Sequence, residues 1–251
     1  MRALQLHQPT VLPVGPHRPN TLQAAIVDLD GTLVDTLDDF VAALAATHAG
    51  LGLRPVDRAF VARSVGKGSE YLLRATLTEV GAAAGVYDTA FALYQQHYRE
   101  INGRHARVFP GVEQGLARLT SYGLRLACLT NKPTAFAREL LQKKGLARYF
   151  GPVYGGDAFE RRKPDPLPLH KTCAALGSEP RRTLMVGDSR NDAQAARAAG
   201  CPVVLVTYGY NHGEPVREVD ADALVDRLDE IDLRHVVVAA QAAQQGERGA
   251  R

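Results

Sequence analysis

Short apolar runs alternate along most of this chain with stretches whose apolar positions recur every three or four residues. Ala24-Ala25-Ile26-Val27, the stretch Leu124–Thr130, Leu184–Val186 and Val203–Thr207 read as buried strands. Glu113–Tyr122, Ala135–Lys144, Pro166–Leu176 and Ala193–Ala199 carry the helical period. This alternation predicts βαβ units, and so an α/β fold: a Rossmann-like parallel sheet with helices on both faces. One long stretch breaks the pattern. From about residue 37 to 103 the chain reads as amphipathic helices with no strong strand run. Phe40, Leu44 and Thr47 fall at helical spacing, as do Tyr71, Leu72 and Ala75. Pro55, Gly66, Gly68 and Gly81 punctuate it, and Phe109-Pro110-Gly111 marks the return to the sheet pattern. The predicted organisation is therefore an α/β core from 22–36 and 104–235, a helical insert at 37–103, an N-terminal extension at 1–21 and a tail at 236–251.

Polar residues that punctuate the strand ends carry the chemistry. In a parallel sheet, side chains at the carboxyl ends of strands converge on one crevice. Asp28-Leu29-Asp30-Gly31-Thr32 follows the first run, Thr130-Asn131 the second, and Gly187-Asp188-Ser189-Arg190-Asn191-Asp192 the third. Asp28 is placed to attack phosphorus once a divalent ion offsets the repulsion between two anions. Asp30, on the same side of a continuing strand, can give and take a proton. Thr130 and Asn131 offer donors suited to phosphoryl oxygens, although capping of the next helix would also use them. Lys163, followed by Pro164 and Pro166, is a cation in a stiff frame. It also fits a plain basic surface run with Arg161 and Arg162. Asp188 and Asp192 are four apart and share a face if a helix begins near Ser189. Two such acids call for a cation, and hard oxygen ligands suit Mg²⁺; decoration of a helix N-terminus accounts for one of them equally well.

Taken in order, Asp-x-Asp-Gly-Thr, Thr-Asn, Lys-Pro and Gly-Asp-Ser-x-x-x-Asp resemble the motif set of the haloacid dehalogenase superfamily of phosphohydrolases. Asp28 through Thr36, Val65-Gly66-Lys67-Gly68, Phe109-Pro110-Gly111-Val112 and Gly209 through Glu214 look like its phosphoglycolate phosphatase subgroup. The resemblance implies Asp28 as nucleophile and Asp30 as acid and base. It implies Mg²⁺ held by Asp28, the backbone carbonyl of Asp30 and Asp188, with Asp192 orienting from behind. Thr130, Asn131 and Lys163 would bind the phosphoryl group. The insert at 37–103 then resembles a small α-helical cap over the strand ends. Within it, Lys67 between two glycines, with Arg63 as a second candidate, is the expected contact for a substrate carboxylate. The expected reaction is hydrolysis of 2-phosphoglycolate. A phosphosugar phosphatase or mutase of the same superfamily is the alternative, and a non-catalytic regulatory binding protein the alternative of another class.

Composition narrows the setting. The formal net charge of +3 over 251 residues, with no basic stripe interleaved with aromatics, does not call for nucleic acid. No uninterrupted apolar stretch approaches a membrane span. Cys128, Cys173 and Cys201 are widely spaced and odd in number, so neither a disulfide framework nor a zinc site is expected. The expected home is the cytoplasm, the expected partner a small phosphorylated metabolite, and the expected state a monomer or homodimer. There is no Gly-x-x-x-x-Gly-Lys-Ser/Thr phosphate loop. Pro9, Pro13 and Pro16 interrupt any apolar region a signal peptide would need.

Overall fold

The computed structural model describes residues 22–236. The expected extension at 1–21, and all of the expected tail except Val236, lie outside the described residues. Six parallel strands form the main sheet in the order β5-β4-β1-β6-β7-β8. They are β1 (Ala24–Val27), β4 (Arg125–Leu129), β5 (Val153–Tyr154), β6 (Thr183–Gly187), β7 (Val203–Val206) and β8 (Ala223–Val225). β1 and β7 are buried throughout, as strands covered on both faces must be. Alternate residues pack to opposite sides. Ala25, Val27, Leu126 and Cys128 join α5 (Val112–Ser121) and α6 (Thr134–Lys143) in one apolar layer. Ala24, Ile26, Ala127 and Leu129 join α7 (Leu167–Ala175) and α8 (Arg190–Ala199) in the other. The sheet is doubly wound, with helices on both faces. β1 pairs with β4 on one side and β6 on the other, so the strand order reverses around β1 and opens a crevice at its carboxyl end.

The strand and helix expectations between 112 and 206 hold to within a few residues. The sequence pattern missed β5 and β8, which have two and three residues and are too short for a periodic signal. It also missed a two-stranded antiparallel ribbon of β2 (Val34–Asp35) and β3 (Arg107–Val108), which flanks the insert.

Residues 37–101 carry four helices: α1 (Leu37–Gly50), α2 (Arg58–Ser64), α3 (Ser69–Glu79) and α4 (Tyr87–Ile101). They share a separate apolar cluster that includes Phe40, Leu44, Leu72, Leu73, Tyr94 and Tyr98. α1 buries Phe40, Leu44 and Thr47, the expected face. α3 buries Leu72, Leu73, Thr76 and Leu77, so the expected Tyr71 position is displaced: Tyr71 is 44% exposed. Buried Asp39 on α1 fastens both chain crossings into this unit. Its carboxylate accepts from the N–H of Gly103 at 2.6 Å and of His105 at 2.7 Å. No helix among the described residues is long and apolar enough to cross a membrane.

Candidate active site

Val27 ends β1, but Asp28 keeps the ladder for one more residue, its N–H reaching the Val186 carbonyl at 2.9 Å. That extension puts the Asp28 carboxylate at the mouth of the crevice. Asp28 Oδ1 accepts from the Leu29 N–H at 2.7 Å and lies 3.1 Å from Lys163 Nζ. Gly31 then turns the chain with φ of +83°. A Cβ there would sit 2.3 Å from Asp188 Oδ2, so only glycine lets the first and last acidic motifs approach this closely. Thr32 uses the approach: its hydroxyl donates to Asp188 Oδ1 at 3.0 Å.

Ser189 caps α8 with a reciprocal box, as the acidic spacing required. Asp192 is saturated by it. Its Oδ2 accepts from the Ser189 hydroxyl at 2.7 Å and the N–H groups of Ser189 and Asp188 at 3.2 and 3.3 Å. Its Oδ1 takes Lys163 Nζ at 2.7 Å. Lys163 is turned inward, 3% exposed, while its neighbours Arg161 and Arg162 are exposed. The surface-run reading therefore applies to the arginines alone. The Lys163 ammonium also donates to the Leu129 carbonyl at 2.8 Å, so three acceptors use its three hydrogens.

Ligand oxygens of Asp28, Asp188 and Asp192 lie within 4.8 Å of one another. The donor set is all carboxylate and buried, which fits a hard divalent cation. Asp192 already takes four hydrogen-bond donors, while Asp28 and Asp188 take two each from the described residues and keep more lone pairs for an ion. Electrostatics say the same. Burial pushes the Asp28 carboxyl up to about 7, with Lys163 acting against it and Asp192 adding to it. Burial, then the charges of Asp192 and Asp28, push Asp188 well above the carboxylate range. Burial opposes the Lys163 charge, but Asp192 and Asp28 outweigh it and raise that group. A divalent cation between these acids would relieve both their burial and their mutual repulsion.

Thr130 and Asn131 follow β4 into the same crevice. The helix-capping alternative for them is not realised, since Pro133 holds the cap position of α6 and Asp157 takes the Thr134 N–H at 2.8 Å. Asn131 instead clasps three segments. Its Oδ1 accepts from the Lys163 N–H at 3.1 Å, and its Nδ2 donates to the carbonyls of Lys163 and Gly66, both at 2.9 Å.

Four residues at this site were not among the expected site residues. Lys132, next to Asn131, is buried, with Nζ 2.9 and 3.2 Å from the two Asp30 oxygens and 2.5 Å from the Tyr98 hydroxyl. Thr36 donates to Asp30 Oδ1 at 2.8 Å. Tyr210 gives its N–H to Asp188 Oδ2 at 2.5 Å, while its hydroxyl accepts from the Thr36 and Leu37 N–H groups at the start of α1. Lys132 was the findable one, since it too follows a strand. Thr36 and Tyr210 lie within the subgroup stretches quoted above, and Tyr98 reaches the site only through the tertiary fold.

The crevice is roofed by the helical insert. Asp28, Asp30, Phe40, Val65, Gly66, Gly68, Ser69, Leu72, Thr130, Asn131 and Lys132 line the enclosed space. Little free space is left between the insert and the strand ends, so the insert sits down on the crevice. Lys67 and Arg63 are not among its walls. The backbone of Gly66 and Gly68 faces it, while the Lys67 ammonium lies 5.0 Å from the Tyr71 ring centre and Arg63 packs along Gly213.

A family model described as haloacid dehalogenase-like hydrolase matches residues 25–206, most of the chain and every acidic motif above. The chain belongs to the haloacid dehalogenase-like hydrolases. Within these hydrolases it is 43% identical over 218 residues to a phosphoglycolate phosphatase from Thiobacillus denitrificans, covering 86% of this chain and 96% of that one. It is 45% identical over 207 residues to a plasmid-borne phosphoglycolate phosphatase from Cupriavidus necator, covering 82% and 90%. The hydrolase fold is also seen in a solved structure, a predicted phosphoglycolate phosphatase from Haemophilus somnus. That likeness has a TM-score of 0.80 at 30% identity, over 83% of this chain and 96% of that one.

Proposed function

We propose that this chain is a Mg²⁺-dependent phosphatase that hydrolyses 2-phosphoglycolate to glycolate and phosphate through a phosphoaspartyl intermediate on Asp28. The observation that carries the reading is the state of Asp28. It lies at the floor of a roofed cavity with Oδ1 fixed by Leu29 and Lys163, while Oδ2 takes no hydrogen bond from the described residues. That is the posture of a nucleophile, held from one side and open on the other.

Asp28, the backbone carbonyl of Asp30 and Asp188 would hold the metal, with Asp192 fixing Lys163 and the turn at Ser189. Mg²⁺ there would offset the repulsion between carboxylate and phosphoryl dianion. The chain's own residues do the rest. Asp28 Oδ2 attacks phosphorus, and the P–O bond to the alcohol breaks. Asp30 protonates the leaving oxygen, then removes a proton from the water that attacks the phosphoaspartate. Thr130 supplies its hydroxyl to the phosphoryl oxygens, and Asn131 joins it by exchanging its Gly66 partner for phosphate. Lys163 acts through Asp28, since its three hydrogens are spent. The roof must lift to admit substrate and close again to exclude bulk water. The proposed setting is the cytoplasm.

A panel of small phosphomonoesters tests the reading by phosphate release, with and without chelator. Highest kcat/KM on 2-phosphoglycolate, abolished by chelator and restored by Mg²⁺, is expected. Preference for a hexose phosphate, or transfer of its phosphoryl group to sugar, would replace the substrate assignment. Full turnover in excess chelator would remove the metal.

A further inference from the structure

Among the residues lining the enclosed cavity, Lys132 is the one cation. Its surroundings are unlike those of an ordinary buried ion pair. The ammonium faces the Asp30 carboxylate, the Tyr98 hydroxyl at 2.5 Å, and the rings of Phe40 and Tyr98 with centres at 4.5 and 4.8 Å. Burial, with Asp30 adding to it, holds the Tyr98 phenol well above its ordinary range. The phenol is therefore neutral: it accepts from Lys132 and keeps its own O–H to give. Ser69, the first residue of α3, lines the same wall.

The substrate proposed above has two anionic ends, its carboxylate lying one methylene from the phosphate ester oxygen. With its phosphoryl group at Asp28, its carboxylate must fall inside the roofed space, where Lys132 is the one cation among the lining residues and Lys163 has its three hydrogens already engaged. That ammonium already binds a carboxylate, which belongs to Asp30. The same Asp30 oxygen, Oδ1, also accepts from Thr36, so Asp30 can leave Lys132 and retain a partner. The aromatic faces of Phe40 and Tyr98 belong to the roof, so they return to the ammonium as the roof closes over substrate and desolvate it, which strengthens its hold on the carboxylate present.

We propose that Lys132, backed by Tyr98 and Phe40, is the substrate-carboxylate receptor of this enzyme. In the closed resting state Asp30 occupies the receptor. The carboxylate of the substrate displaces it, and the freed Asp30 takes a proton from water as it turns toward the leaving oxygen, to which it then gives that proton. Selection and activation then share one step: a phosphoester with a neutral tail cannot take Lys132 away from Asp30. Lys67 is outside this arrangement, because its glycine neighbours present backbone to the cavity and leave its side chain over Tyr71.

The inference rests on the phosphoglycolate reading, and one experiment separates the two. Steady-state kinetics are measured on 2-phosphoglycolate and on its isosteric amide, 2-phosphoglycolamide, for wild type, Lys132→Met, Lys132→Arg and Tyr98→Phe. Thermal unfolding confirms that each variant is folded. Wild type should favour the carboxylate substrate. Lys132→Met should lower that preference, as the ratio of the two kcat/KM values, by about 10- to 100-fold, the scale of a charge-assisted hydrogen bond. Lys132→Arg should keep the ratio within about threefold, and Tyr98→Phe should lower it by roughly 2- to 10-fold. If Lys132→Met does not fold, Tyr98→Phe and Lys132→Gln carry the same readout. Equal losses on both substrates would reduce Lys132 to a support for Asp30 and overturn the receptor. A wild type inactive on 2-phosphoglycolate would overturn the substrate reading itself, and a preference kept in Lys132→Met would overturn the receptor alone.

Discussion

Two buried lysines face the same crevice, one from its floor and one beneath its roof. Lys163 is bound by Asp28, Asp192 and the Leu129 carbonyl, all fixed by the ends of parallel strands and the first turn of α8. Lys132 is bound by one carboxylate, one phenol and two ring faces, and the phenol and one ring face come from α4. A saturated ammonium can only hold its partners in place. An ammonium with one exchangeable partner and an aromatic backing can trade that partner for a ligand. Charge alone does not separate a positioning residue from a recognition residue; the number and mobility of its acceptors do.

The largest expected effect lies on the floor. Asp28→Asn keeps the shape and removes the attacking charge, so turnover should fall by at least ~10³ with the fold intact by circular dichroism. Trapping of ³²P on protein from labelled substrate should vanish in the same variant. Near-normal turnover would sink the covalent mechanism.

Stability breaks the comparison next. Lys163→Met strands two buried carboxylates, and the cost at neutral pH should be about 3–5 kcal/mol. Lys132→Met leaves Asp30 with the Thr36 hydroxyl and should cost about 1–3 kcal/mol. Denaturant unfolding of both variants without metal measures the difference. Equal losses would mean that the roof lysine is as much a structural tie as the floor one.

The floor was largely legible in the amino-acid order, and the roof was not, for a physical reason. Asp28, Thr130 and Asp188 each follow an apolar run, and the rule that strand ends converge needs no tertiary detail. Lys163 has no such run; it was found only through its motif, and its inward turn beside two exposed arginines has no periodic signature. Roof contacts depend on how helices pack. Tyr98 meets Lys132 across 34 residues and Asp30 meets it across 102. Lys67 looked well placed because glycine flanks it on both sides. Those glycines do bring the backbone to the cavity, while the Lys67 side chain lies over the Tyr71 ring. The two-residue strands of the ribbon were invisible for the opposite reason, being too short to show any period.

Proton competition sharpens the floor further. Burial raises the Asp28 carboxyl to about 7, far above its unfolded value of 3.8. The metal-free native state thus binds this proton more tightly than the unfolded chain does. The stability it contributes is full below the unfolded value and is lost as pH rises through about 7. A divalent ion must displace that proton, so it binds better as pH rises. The rise in Tm caused by Mg²⁺ should therefore be small at pH 5 and grow to several degrees by pH 8. Scanning calorimetry at matched ionic strength measures it. A Mg²⁺-induced shift that is flat across this range would place the ion away from Asp28.

The smallest effect concerns what joins floor to roof. Arg162 Nη2 lies 2.6 Å from Glu70 Oε2, a short ion pair between a core loop and α3. Both side chains are about half exposed, at 42% and 53%. Such pairs contribute about 0–1 kcal/mol and fade with salt. The Asn131 clasp is buried and uncharged: its amide joins Lys163 on the floor to the Gly66 carbonyl under the roof. Arg162→Ala should change stability by less than about 1 kcal/mol and kcat/KM by less than about threefold, and added salt should reproduce it in wild type. Asn131→Ala strands the Lys163 carbonyl and N–H and leaves the Gly66 carbonyl with Asn191 Nδ2 at 3.3 Å, and should cost about 1–3 kcal/mol whatever the salt. If the two variants behaved alike, and both responded to salt, the roof would be tethered by its surface charges and the buried clasp would be incidental to closure.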